Sequence, residues 1–178
     1  MDEKNKRNSR LVFRIWFIFI LNDHHDNAGL REDPISYGSG YFPLKKDLEE
    51  SERFLYNIWK QIDLAFNTGY DHHLLFEALN EPRLKGHKNE WNFKKEEPDC
   101  EEASAILNKY LEICVKAIRE TEGNNYKRFI MIIPLSANFN SALKSDLDFP
   151  KDKYNTIKYL SLYWKKPAKS VNIYIWKL

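Results

Sequence analysis

Asn80 and Glu81, followed directly by Pro82, close a run of strand length whose apolar residues are Leu75, Phe76, Ala78 and Leu79. Proline cannot donate to a sheet ladder, so the run predicts a buried strand, over residues 74 to 81, with Glu81 at its rim. A rim carboxyl beside an amide suits the presentation of a proton donor, that is, general acid chemistry. The same residue types also end strands as plain solvated polar groups, and spacing alone does not separate the two. Glu77 shares the parity of Glu81 and points to the same side of the strand. A carboxyl there is expected to be hydrogen-bonded and structural, since unpartnered burial is costly.

The histidines are the other groups with chemistry to offer. His24, His25 and Asp26 cluster at the end of an apolar run, but adjacent residues on a strand point to opposite faces, so the two imidazoles do not converge on one ion. No metal site is expected from them. His72 and His73 precede the Glu81 strand and are expected in a solvated helix-to-strand turn with no chemistry assigned. His87 is either a loop contact or a binding-site residue. Cys100 and Cys114 fall on one predicted helix, fourteen residues apart, or about 21 Å at the usual helical rise, too far for a disulfide. They set no redox compartment.

The elements that must position these groups alternate in type. Residues 11 to 23 predict a strand, and 27 to 43, with their Gly and Pro, a long loop. Leu55, Ile58, Trp59, Ile62, Ala65 and Phe66 recur at helical spacing, so residues 44 to 67 predict an amphipathic helix. After the Glu81 strand, Asp99 with Glu102 resembles a capping box, and the face Ile106, Leu107, Tyr110, Leu111, Cys114, Val115, Ile118 continues towards Gly123 as a helix stop. Residues 128 to 134 and 156 to 164 predict two further strands. Strands separated by helices imply parallel pairing, hence an α/β fold.

Composition excludes more than it suggests. With 178 residues, one domain spanning 1 to 178 is the natural count. The 28 basic and 26 acidic residues nearly cancel, leaving a net charge of +2 and neither a basic stripe for nucleic acid nor an acidic tail. Aromatic residues make up 15% of the chain, which suits stacking on sugars, although core packing is their commoner use. The apolar run at 11 to 21 is interrupted by Arg14 and followed by no small-residue cleavage site. It is also too short for a bilayer that needs about twenty residues, so a buried strand is expected there rather than a signal peptide or a membrane span.

Five segments, ILNDHHD at 20 to 26, LFEALNEPR at 75 to 83, GHKNEWNF at 86 to 93, PDCEEA at 98 to 103 and GNNYKRFIMIIP at 123 to 134, carry a resemblance. In order and spacing they resemble glycoside hydrolase family 5, the endoglucanase family, and its broad β-glucan and xyloglucan branch, over roughly residues 20 to 152. The resemblance implies a (β/α)8 TIM barrel with its catalytic groups at the carboxyl ends of the strands. It implies that Glu81 is the acid/base of a retaining mechanism, protonating the leaving oxygen and then activating the water that releases the glycosyl-enzyme. Asn80 would bond the sugar 2-hydroxyl, His24 and His25 would line the site, and Trp91 would offer a stacking platform. The implied partner is a β-glucan polysaccharide, with no cofactor, and the implied location is extracellular.

The departures are equally specific. A retaining mechanism needs a second carboxyl about 5 to 5.5 Å from the first, which the family places as a glutamate on its seventh strand, and no Glu follows Glu122 here. Asp146, Asp148 and Asp152 have nothing to mark them as substitutes. Tyr163 and Lys165 stand where the family's next strand carries a histidine and a tyrosine. Residues 169 to 178 match nothing in the family, and residues 1 to 19 match poorly. A barrel usually needs about 250 residues, so a partial barrel is expected, covering the family's third to sixth strands, with open edges that favour self-association. Two readings follow: the acid/base half of an endo-β-1,4-glucanase, or a non-catalytic remnant of a gene that at most binds glucan through Trp91, Tyr41 and the polar rim, or has no function.

Overall fold

The computed structural model describes residues 17–23, 43–138, 141–142, 147–154, 156–158 and 172–177. In chain order these form β1 (Phe17–Asn22), α1 (Leu48–Phe66), β2 (Leu74–Glu77), α2 (Pro98–Arg119), β3 (Ile130–Ile132), β4 (Thr156–Lys158) and β5 (Asn172–Lys177). All five strands join one parallel sheet in the order β4-β3-β2-β1-β5. The α/β alternation and parallel pairing are as expected.

Both helices pack against β2 and the residues that follow it, where Phe76, Ala78 and Leu79 are buried. Leu55, Trp59 and Ile62 form the buried face of α1, and Trp59 donates from Nε1 to the Ala78 carbonyl at 3.0 Å while its ring sits 5.3 Å from that of Phe76. From α2, Ile106, Leu107, Tyr110, Leu111, Cys114 and Ile118 are buried, and the Cys114 thiol reaches the same carbonyl. Cys100 and Cys114 are both free and buried. Among the described residues no helix is long and apolar enough to cross a membrane.

Several boundaries differ from expectation. β2 ends at Glu77 instead of Glu81, because its neighbour β3 is only three residues long and the last ladder bond is donated by Ala78 to the Met131 carbonyl. A strand persists only where it has a partner, so Leu79 is buried without being in the ladder. Asp99 and Glu102 form no capping box. The helix begins at Pro98, whose missing N–H costs nothing at the first position, with Glu97 as N-cap and no side-chain cap bond. It ends at Arg119 rather than at Gly123. Gly123 lies beyond it with φ 55°, packed so closely on the Asn67 side chain that a Cβ would collide with it.

The stretch from 169 to 178, which matches no family element, contributes β5, paired in parallel with β1 from Phe17↔Asn172 to Asn22↔Lys177. β1 itself is described from Phe17, and β4 only over Thr156–Lys158. Residues 11 to 16, Tyr163 and Lys165 lie outside the described residues.

The amino end of the sheet is fastened by one side chain. Arg128, buried, donates to the carbonyls of Asp71, Leu74, Phe66 and Tyr70 and to Asn125 Oδ1 over 2.7 to 3.2 Å. The guanidinium fork thus ties the end of α1, the entry to β2 and the entry to β3 together. With this end fixed, the loops at the carboxyl end are free to carry other chemistry.

Candidate active site

At the carboxyl end of β1, Asn22 is buried and its Nδ2 donates to Glu77 Oε2 on the neighbouring strand at 2.9 Å. The same amide lies 3.5 Å from Asn80 Oδ1. Glu77 is therefore hydrogen-bonded, as expected of a carboxyl on that face. Burial pushes its pKa above the ordinary value, the Asn22 bond opposes this, and the Glu81 charge adds to the rise. Leu79 and Ala78 are buried beneath this network, and Asn80 and Glu81 emerge half-buried at the rim.

Glu81 takes a left-handed backbone conformation with φ 43°. Three further non-glycine residues have positive φ: Ser136 and Ala137 beyond β3, at 57° and 50°, and Glu122, at 55° in the turn after α2 and away from this rim. Such conformations are held only where surrounding contacts impose them, and they gather at functional sites. The contacts are present: the Ser136 N–H donates to the Pro82 carbonyl at 2.7 Å and its hydroxyl donates to the Glu90 carbonyl. Asn138 Nδ2 donates to the Trp91 carbonyl at 3.1 Å.

Arg83 organises the remainder. Its Nε donates to Glu90 Oε1 at 2.8 Å, its Nη1 donates to the Glu81 carbonyl at 3.2 Å, and Nη1 stands 4.0 Å from Glu81 Oε2. The guanidinium also lies 4.4 Å from the centre of the Trp91 ring, a cation–π arrangement. Glu90 is further held by the Gly86 N–H at 2.8 Å. Trp91 is thus pinned through its backbone and one ring face, yet remains 53% exposed.

Of the residues singled out in the sequence, Asn80, Glu81 and Trp91 share this rim. His24, His25 and Tyr41 lie outside the described residues. His87 is a loop contact: its Nδ1 accepts from the Asn89 N–H at 3.1 Å and its Nε2 is 3.4 Å from Asp99. It also lines a cavity of about 320 Å³ with Leu44, Leu84, Lys85 and Glu102. Asp152 pairs with Arg119 at 2.8 Å, and the Asp148 N–H bonds Asn108 on α2, so neither belongs to the rim. Asp146 lies outside the described residues. Asn22 and Arg83 were not anticipated. Arg83 stands inside the Asn-Glu-Pro-Arg run, but nothing in the run indicates that it faces back onto Glu81, and Asn22 depends on a register visible only in the sheet.

The model of a family described as Cellulase (glycosyl hydrolase family 5) matches residues 17–161. Endoglucanase A of Clostridium longisporum is 32% identical over 173 residues, covering 92% of this chain and 30% of that protein. Endoglucanase B of Neocallimastix patriciarum is 34% identical over 144 residues, 81% of this chain and 27% of that one. Among solved structures, a mutant of a glycoside hydrolase 5 lichenase from Caldicellulosiruptor sp. F32, in complex with cellotetraose, superposes with a TM-score of 0.65 at 30% identity. That match covers 86% of this chain and 36% of the other. The catalytic domain of CelCCA gives a TM-score of 0.67 at 28% identity, with 88% of this chain and 36% of that one covered. The chain spans about a third of the length of the relatives it matches.

Proposed function

Because the chain belongs to the cellulase family, glycosyl hydrolase family 5, we propose that it carries the acid/base half of a retaining endo-β-1,4-glucanase acting on β-glucan. Glu81 is the proton donor to the leaving sugar oxygen and, in the second step, the base that activates water. Asn80 bonds the sugar 2-hydroxyl, Trp91 stacks on a sugar ring, and His24 and His25 line the same cleft. The protein acts outside the cell, where such polymers occur. The observation that carries the proposal is the rim itself: Glu81 in a strained backbone conformation, braced by Arg83 beside an exposed, fixed tryptophan.

One feature favours binding without turnover by this chain alone. The neighbouring carboxyls are committed elsewhere, Glu77 to Asn22 within the core and Glu90 to Arg83 and the Gly86 N–H. Neither is free to act as the second carboxyl of a retaining pair.

Reducing-sugar release from soluble β-glucan and xyloglucan, by the chain and by Glu81→Gln, tests the proposal when run with and without added formate as an external nucleophile. No release without formate, and formate-dependent release by the parent but not by the variant, is expected. Equal release by both proteins with formate removes Glu81 from the role of donor. Release by the parent without formate, with retained configuration, shows that the chain holds a nucleophile of its own.

A further inference from the structure

At the opposite end of β2 from Glu81, the turn entering the strand brings one carboxylate and two imidazoles together. The Leu74 N–H bonds the Asp71 carbonyl at 3.2 Å, which closes a turn with His72 and His73 at its two central positions. The His73 N–H donates to Asp71 Oδ1 at 3.0 Å, folding the carboxylate over that turn. His73 Nδ1 lies 2.8 Å from Asp71 Oδ1, His72 Nδ1 lies 3.8 Å from Asp71 Oδ2, and the two rings are 4.1 Å apart. One ligand atom from each residue falls within 4.8 Å of the others.

We propose that Asp71, His72 and His73 form a binding site for a divalent transition-metal ion of the zinc class, with one carboxylate oxygen and two imidazole nitrogens as ligands. Two ligands at 2.0 to 2.2 Å from a tetrahedral ion lie roughly 3.3 to 3.5 Å apart. The two imidazole–carboxylate separations, 2.8 and 3.8 Å to the two oxygens of Asp71, bracket that value, and rotation of the side chains brings the three ligand atoms, now within 4.8 Å of one another, onto one ion. The ion takes the place of the His73–Asp71 hydrogen bond, and water completes the coordination. Neighbouring histidines converge here because they sit on a turn, whereas on a strand the pleat would send them to opposite faces.

Two further features support the site. Its backbone is held from within, since Arg128 donates to the carbonyls of both Asp71 and Leu74 at 2.8 and 2.7 Å. Its side chains are reachable from solvent, Asp71 at 63%, His72 at 70% and His73 at 25% exposure. Two imidazoles with one carboxylate suit zinc, copper or nickel, whereas calcium and magnesium require mostly oxygen ligands. Bound there, the ion fastens the connection from α1 to β2 and raises the melting temperature to the extent that the folded turn, held by Arg128, binds it more tightly than the open chain does.

The test is isothermal titration with Zn2+ and with Mg2+ on the chain, on Asp71→Asn and on the double variant His72→Ala/His73→Ala, with thermal melts alongside. Cu2+ electron paramagnetic resonance counts coordinated nitrogens independently of stability. Zn2+ but not Mg2+ should raise the melting temperature of the parent, the double variant should bind one equivalent fewer, and the copper spectrum should lose a two-nitrogen signal in that variant. Unchanged stoichiometry and an unchanged copper spectrum in the double variant overturn the proposal, as does a parent that binds no zinc. If the double variant melts lower even without metal, the copper spectrum decides.

Discussion

The amide of Asn22, the last residue of β1, donates to the carboxylate of Glu77, the last residue of β2, at 2.9 Å. The two are direct register partners, so the bond crosses between adjacent strands at the point where the ladder ends. It closes the core beneath the rim, and the same amide reaches towards Asn80. Asn80, the neighbour of Glu81, is thereby approached from below by a buried side chain.

Removing the Glu77 carboxyl should therefore be felt at the rim as well as in stability. Glu77→Ala strands a buried amide and should cost about 1 to 3 kcal/mol, measured by urea denaturation. Titration with cellotetraose should show weaker binding, and Glu77→Gln should recover part of both. Full stability with full binding in Glu77→Ala would show that the Asn22 bond positions nothing.

Asp63 on α1 is fully buried, and neither carboxyl oxygen has a hydrogen-bond partner among the described residues. Burial pushes its pKa up to about 8, against the attraction of Arg128, Lys60 and Arg119, and Cys114 and Asp23 lie in the same region. The folded value lies above the unfolded one, so this group's contribution to stability is complete below about pH 4 and is lost as pH rises through about 8. Asp63→Asn should remove that dependence and exceed the parent by a few kcal/mol near pH 8, with the gap narrowing towards pH 4. Urea melts across that range check it. A variant less stable than the parent at every pH would mean that the carboxyl has a partner.

Trp91 contributes exposed area and little packing, so Trp91→Ala should leave the melting temperature within a few degrees of the parent while weakening cellotetraose binding at least tenfold. Arg83→Lys keeps the charge but loses the planar fork that meets Glu90, the Glu81 carbonyl and the ring together. It should weaken binding as well, and tryptophan fluorescence should report greater mobility of the ring. Unaltered binding in Trp91→Ala would remove the platform from the site.

The sequence displays what depends on local periodicity. Leu55, Trp59 and Ile62 recur at helical spacing, and α1 buries that face. Leu75, Phe76, Ala78 and Leu79 are apolar, and β2, the strand at the start of this run, is central in the sheet. Strand ends are less legible, because β2 stops where β3 ceases to pair with it, and no residue of β2 records that. Pro98 outweighed Asp99 as the start of α2 because fixed φ and an unneeded N–H define a first position without any side-chain cap. At the site, Asn80, Glu81 and Trp91 were visible as residue types at a loop, whereas Asn22 acts through long-range register and Arg83 through a loop that folds Glu90 and Trp91 back onto it. β5 carries no marker of its place beside β1, since edge pairing is chosen by what the rest of the sheet leaves open.

The most direct measurement of the central claim is the dependence of Glu81→Gln on the leaving group, with formate supplying the nucleophile. Cleavage of cellotetraose requires protonation of a poor leaving oxygen, whereas a dinitrophenyl cellobioside departs without it. General acid help is typically worth about 10² to 10⁴-fold, so the variant should fall by that factor on cellotetraose and stay within a few-fold of the parent on the dinitrophenyl glycoside. An equal loss on both substrates, or no loss on either, would contradict the assignment of Glu81 as the proton donor.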